Sequence, residues 1–75
     1  MIELAENVSM VELDVKPEWV GKTLLELNLR KKYGINVVAI KRGKEVSTLI
    51  DPEQPFDADM ELIVIANTSK LGKLS

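Results

Sequence analysis

Three polar side chains stand among apolar residues in the stretch TLLELNLRKKYGINVVAIKR, which covers residues 23–42. Asn28 and Arg30 occur among leucines, and Asn36 stands at the start of a β-branched run. A guanidinium can bind an anion through its fork of donors, and an amide presents a donor beside an acceptor. Taken singly, Arg30 is more typical of a solvated helix cation, and Asn36 of a residue that hydrogen-bonds its own turn. The pattern leaves open whether the three side chains converge on a ligand.

The chain lacks most of the residues and motifs from which catalytic and metal sites are built. It has no His and no Cys, so it lacks the usual general base, the thiolate nucleophile and the usual zinc ligands. No serine stands in a nucleophile elbow, and there is no glycine-rich phosphate loop. Asp57 and Asp59 could act as an acid and a base, but two acids beside a turn are typical of solvated charge. We therefore expect no catalytic site and no metal site.

Size and composition favour a small domain that associates with a second copy. The chain has 75 residues and no Cys. A domain of this size buries only ~60% of the surface of its unfolded chain, and no disulfide can compensate. Association is then the most common stabilising device, so we expect a homodimer.

Charge and hydropathy exclude several classes of partner. The net charge of -2 argues against a nucleic-acid interface, which needs a strongly basic face. No apolar run approaches the ~20 residues of a membrane span, so we expect no direct membrane insertion. No signal-peptide pattern opens the chain, and the absence of Cys agrees with a reducing compartment. These features predict a cytoplasmic location.

The polar residues lie on a predicted helix that follows a predicted strand. Residues 8–15 include a stretch that alternates apolar and polar positions, as in a half-buried strand. Thr23 and a glutamate three residues later form a capping box, which begins a helix that runs to about Tyr33. Gly34 is placed to end it in the left-handed conformation. Because the leucines do not form one stripe, we expect a break near Asn28.

Three further strands are predicted after the helix. Residues 36–42 give the strongest strand pattern, and residues 42–45 read as a hairpin turn into a short strand at 46–49. Residues 51–55 have the composition of a loop. Residues 60–66 are almost entirely apolar, which predicts a central strand that is covered on both faces.

The predicted order βαβββ gives an α+β fold. We expect a four-stranded, mainly antiparallel sheet with one helix, either straight or broken, packed on one face. Residues 1–7 are predicted to be a lead-in or the remnant of a preceding segment, and residues 68–75 a mobile tail or a short helical turn. A single helix cannot cover such a sheet, which again favours a dimer.

The same stretch resembles a known family of regulatory domains. GKTLLELNLRKKYGINVVAIKR, followed by FDADMELIVIA, is similar to the TrkA-C or RCK-C domain of KtrA- and TrkA-type gating subunits of potassium transport systems. The resemblance covers about residues 8–67. The positions that match the family outline are Gly21, Lys22, Leu24, Glu26, Leu27, Leu29, Arg30, Gly34, Val37, Val38, Ala39 and Ile40.

The resemblance implies a regulatory role in potassium uptake. Family members are cytosolic modules that follow a nucleotide-binding Rossmann domain and assemble as gating rings on a membrane potassium transporter, at the inner face of the cell membrane. The Rossmann part is absent from this sequence, so any NAD, ATP or ADP would bind there, and no cofactor is expected in this domain. A structural dimerisation module with no ligand of its own is the alternative.

The resemblance to a subset of the family implies a specific regulatory ligand, cyclic di-AMP, which is held between two copies of the domain. The pattern of that subset has two aliphatic residues, an Asp, an Arg and an Asn before a run of aliphatic residues. This chain matches its spacing, with Asn28 in the place of the Asp. The implied roles are a phosphate ligand for Arg30 and an adenine-edge ligand for Asn36. The residues implied as the ligand site are Leu24, Leu25, Asn28, Arg30, Ile35, Asn36, Val37 and Pro52.

Overall fold

The computed structural model of the chain describes residues 1–71 and shows an α+β fold, as the sequence predicts. One five-stranded antiparallel sheet has the strand order β1-β2-β5-β3-β4. The elements in chain order are β1 (Ile2–Ala5), β2 (Val8–Asp14), a 3-10 helix (Pro17–Trp19), α1 (Leu24–Leu27), α2 (Leu29–Tyr33), β3 (Ile35–Arg42), β4 (Glu45–Ser47), β5 (Glu61–Asn67) and α3 (Thr68–Leu71).

The sheet has one strand more than the four that we expected from the sequence. Residues 1–7, predicted to be a lead-in, contribute β1, which pairs with β2 through a turn at Glu6 and Asn7. Asn7 adopts a positive φ of 68°, a conformation that Asn tolerates better than most residues. Ile2 and Leu4 remain 60% and 51% exposed, so this edge strand lacks the burial pattern from which strands are recognised.

The central strand β5 is apolar, but only one of its faces is fully covered. Leu62 and Val64 are completely buried on the side that faces the helices. Ile63 and Ile65, on the opposite side, are half-buried. The expectation that both faces are covered was therefore wrong for this chain alone, because all the buried residues of the helical segments pack on the same side. The hydrophobic core consists of Val15, Trp19, Leu29, Ile35, Phe56, Met60, Leu62, Val64 and Ala66.

The end of the described chain is helical. Residues 68–71 of the predicted tail form α3, and residues 72–75 lie outside the described residues. The half-buried Leu71 packs against the core. Within residues 1–71, no helix has the length and apolar character that a membrane crossing requires.

Candidate functional site

A capping box fixes the start of α1. The backbone N–H of Glu26 donates to Oγ1 of Thr23 (3.1 Å), and the backbone N–H of Thr23 donates to Oε1 of Glu26 (3.1 Å). Each side chain satisfies a donor that the first helical turn leaves free. The helix therefore begins where the sequence predicts, and it places Leu24 and Leu25 on its first turn.

Asn28 breaks the helix, as the spread of the leucines predicts. Its backbone adopts the left-handed conformation (φ 50°, ψ 49°) between α1 and α2. Its N–H donates to the carbonyl of Leu24 (3.1 Å), and its carbonyl accepts from the N–H of Lys32 (3.0 Å). Its side chain forms no cap hydrogen bond to α2. The change of direction buries Leu29 (1% exposed) and leaves the Asn28 side chain exposed.

A second left-handed residue joins α2 to β3. Gly34 has a φ of 66°, and its N–H donates to the carbonyls of Arg30 (3.0 Å) and Leu29, which closes the helix. The chain enters β3 immediately, with Ile35 buried and Asn36 exposed. The turn thus brings Arg30, at the start of α2, to the same surface as Asn36, at the start of β3.

The loop before β5 forms another wall of this surface. The N–H of Leu25 donates to the carbonyl of Pro52 (3.1 Å), and the N–H of Phe56 donates to the carbonyl of Lys22 (2.8 Å). The N–H of Gly21 in turn donates to the carbonyl of Phe56 (2.8 Å). The buried Phe56 side chain anchors the far end of the loop in the core. Pro52 is therefore held beside the first turn of α1.

These elements form the walls of an open groove with a volume of about 290 Å³. Its lining residues are Leu24, Leu25, Asn28, Leu29, Arg30, Ile35, Asn36, Val37 and Pro52. The structure thus brings all eight sequence-predicted site residues together, and their role in binding a ligand remains a prediction. Leu29 was not predicted as a lining residue. A leucine in a helix is typical of the core, and only the break at Asn28 turns this one toward both the core and the groove.

The groove combines one cation with amides and apolar walls. Arg30 is the only charged residue among those that line it, and its guanidinium forms no ion pair with residues 1–71. Asn28 and Asn36 add neutral donors and acceptors. Leu24 and Val37 are half-buried, and Leu25 is 68% exposed on the rim. Such a lining can bind an anion that also carries flat apolar groups with hydrogen-bonding edges.

The acidic pair Asp57 and Asp59 lies in a turn and does not line this groove. Oδ2 of Asp57 accepts a hydrogen bond from Nη2 of Arg42 (2.6 Å), and its Oδ1 accepts one from the N–H of Asp59 (2.9 Å). The hydrogen bond from Arg42 is the main cause that lowers the pKa of Asp57 below its usual value. These interactions account for the pair as part of a surface turn. Within residues 1–71, no group of three or more acidic residues is arranged to hold a metal ion.

Tyr33 and Lys44, two side chains that could contact a nucleotide, do not line the groove. Tyr33 is half-buried and packs against the core. Lys44 belongs to the tight turn between β3 and β4, where Gly43 has a φ of 57°. The predicted hairpin is confirmed, and its basic tip is exposed.

Sequence comparisons identify related domains. The family model of the TrkA-C domain matches residues 8–75. The Ktr system potassium uptake protein C of Bacillus subtilis (strain 168) is 42% identical over 72 residues, which cover 96% of this chain and 33% of that protein. The chain thus spans about a third of the length of this relative.

Solved structures share the fold. The RCK C domain of the potassium transport protein KtrA, in complex with cyclic diadenosine monophosphate, matches with a TM-score of 0.82 and 35% identity. The match covers 95% of this chain and 84% of that domain. The RCK_C domain dimer of S. agalactiae BusR, in complex with c-di-AMP, matches with a TM-score of 0.72 at 17% identity, over 91% of this chain and 86% of that domain. This second likeness concerns the fold alone.

Proposed function

Since the chain belongs to the TrkA-C domain family, we propose that it is a ligand-sensing regulatory domain of a potassium uptake system. Its ligand is cyclic di-AMP, bound between the grooves of a homodimer. The observation that supports this proposal most strongly is the groove itself. It gathers every residue that the sequence predicts for such a site, in a domain similar to one solved with this ligand.

The chemistry of the groove suits one half of a cyclic dinucleotide. Arg30 can form a bidentate, charge-assisted pair with a phosphate. Asn36 can donate to and accept from an adenine edge, and Asn28 offers a second amide nearby. Leu24 and Leu25 supply apolar contact to a purine ring. No carboxylate stands among the residues that line the groove, so the lining itself carries no negative charge.

A two-fold dimer makes the two halves equivalent. Cyclic di-AMP has two phosphates and two adenines in a nearly two-fold arrangement, which an isologous interface can match. The two Arg30 side chains then balance the two phosphate charges, and without the ligand they would repel each other across the axis. The groove of one copy is open, so a second copy is needed to enclose the ligand. The dimeric BusR domain solved with c-di-AMP provides a precedent within the fold.

The relatives support a proposal about the wider system. By analogy with the Ktr system potassium uptake protein of B. subtilis, the chain would act in potassium uptake. Its place would be a cytoplasmic complex at the inner face of the cell membrane, as the family resemblance implies. A Rossmann domain that binds NAD, ATP or ADP would lie in the part of such a protein that this chain does not span. The membrane transporter subunit would be its partner through the full gating ring.

Calorimetric titration of the chain with cyclic di-AMP tests the proposal. We expect micromolar or tighter binding with one ligand per two chains. Arg30→Ala should weaken binding at least tenfold, because a hydrogen bond to a charged group contributes about 1.5–3 kcal/mol and this one is made twice. Lys31→Ala is the matched control, since Lys31 is an exposed cation on α2 that does not line the groove. A folded dimer that releases no heat would show a structural dimerisation module instead.

A further inference from the structure

The side chain of Lys70, on the short helix α3, reaches the turn that joins the two polar halves of the groove. Gly34 links Arg30 on α2 to Asn36 on β3. A methyl group placed on Gly34 would lie 3.0 Å from Cδ of Lys70 and 3.8 Å from its Nζ. The exposed Lys70 side chain therefore passes close to the outer side of the turn, where a Cβ on Gly34 would stand. Glycine suits this position for two reasons: its φ is positive, and the lack of a side chain leaves space for the lysine.

The helix that carries Lys70 is fixed at both ends. The N–H of Thr68 donates to the carbonyl of Asn7 (2.9 Å) in the β1–β2 turn. Oδ1 of Asn67 accepts from the N–H (3.0 Å) and from Oγ (2.6 Å) of Ser69, which caps the first turn of α3. Leu71 packs against the core. A side chain on a helix that is held in this way can restrain the turn on which it lies.

We propose that Lys70 is a positioning residue for the groove, whose methylene chain holds the Gly34 turn and thereby fixes the spacing of Arg30 and Asn36. As a proposal about ligand affinity, this rests on the proposed function. A ligand that contacts both residues must order the turn when it binds, and a turn that is already fixed lowers this cost. The contact also connects the groove, through α3 and Asn7, to the β1–β2 turn at the other end of the helix.

Amide hydrogen exchange and calorimetry on three variants of the whole chain test the proposal. Lys70→Ala removes the side chain, Lys70→Met keeps its length without the charge, and Lys44→Ala removes an equal charge at the exposed hairpin tip. In Lys70→Ala, the N–H of Gly34 should exchange about 3–10 times faster, and cyclic di-AMP should bind about 3–10 times more weakly. Lys70→Met and Lys44→Ala should stay close to the unmodified chain in both measurements.

The two readouts separate this proposal from the proposed function. If the unmodified chain does not bind cyclic di-AMP, the proposed function is wrong. The hydrogen-exchange rate of the Gly34 N–H still tests whether Lys70 restrains the turn. Unchanged exchange in Lys70→Ala would overturn the positioning role. The positioning role would also be overturned if Lys70→Met changed exchange and binding as much as Lys70→Ala does, because the effect would then come from the charge and not from packing.

Discussion

Replacing Asn28 tests whether the break between α1 and α2 depends on a left-handed backbone. The residue has a φ of 50°, and its side chain forms no hydrogen bond with residues 1–71. Asn28→Ala therefore removes little except the tolerance of Asn for this conformation. A residue with a Cβ loses about 1–2 kcal/mol in the left-handed region, and Asn is one of the few residues other than Gly that tolerate this conformation. We expect Asn28→Ala to lower the free energy of unfolding by about 1 kcal/mol.

Asn28→Gly is the informative companion variant. Glycine adopts a positive φ without strain but gains about 0.5–1 kcal/mol of conformational freedom in the unfolded chain. The two effects nearly cancel, so Asn28→Gly should lie within about 0.5 kcal/mol of the unmodified chain. Lys31→Ala, at an exposed position of α2 with ordinary helical geometry, should also change the stability by less than about 0.5 kcal/mol.

Thermal unfolding followed by circular dichroism provides the measurement. For a domain of this size, 1 kcal/mol corresponds to a shift of about 4–8 °C in Tm, so the order of the three variants can be resolved. The chain concentration must be the same in each experiment, because the Tm of a dimer depends on it. If Asn28→Ala were as stable as Asn28→Gly, the left-handed conformation would not be the reason for an Asn at this position.

Three further predictions concern the core, the helix cap and the ion pair. Leu62→Ala should destabilise the fold by about 2–5 kcal/mol in urea unfolding, because Leu62 is fully buried, whereas Leu49→Ala, at a position 90% exposed, should change it by less than about 0.5 kcal/mol. An equal effect of the two would contradict the described core. Thr23→Ala should lower the free energy of unfolding by about 1 kcal/mol, because it removes the capping box. If both the helicity and the stability stayed unchanged, that role would be contradicted. Asp57→Asn should destabilise the chain near neutral pH, and urea unfolding should show the difference from the unmodified chain shrinking as the pH falls below about 4. The lowered pKa of Asp57 in the folded state means that its stabilising effect is present above the unfolded pKa and is lost as the carboxylate becomes protonated. A difference that grows with acidity would refute the assignment.

The start of the helix, its break at Asn28 and its end at Gly34 could be predicted because their causes are local. The capping box depends on residues three apart, and Gly34 ends α2 through its own backbone freedom. The break at Asn28 follows from leucines that no straight helix could bury on one side. The four predicted strands are present with small shifts of their ends, because hydrophobic patterning and turn residues indicate them directly.

What the sequence missed depends on contacts between distant segments. β1 is an exposed edge strand, so the burial that normally reveals a strand is absent. The hydrogen bond between the N–H of Leu25 and the carbonyl of Pro52 joins segments that no local pattern relates. The contact between Lys70 and Gly34 likewise requires α3 to fold back across the end of the sheet. The residues of the groove came from the resemblance to a family, and only the structure shows that they share one surface.

A crystal structure of the chain grown with cyclic di-AMP tests the central claim most directly. We predict one ligand on the two-fold axis between two copies, with each Arg30 guanidinium at a phosphate, each Asn36 amide at an adenine edge, and Pro52 and the leucines of α1 against the rings. A ligand bound elsewhere, or a dimer that keeps the two grooves apart and empty, would contradict it.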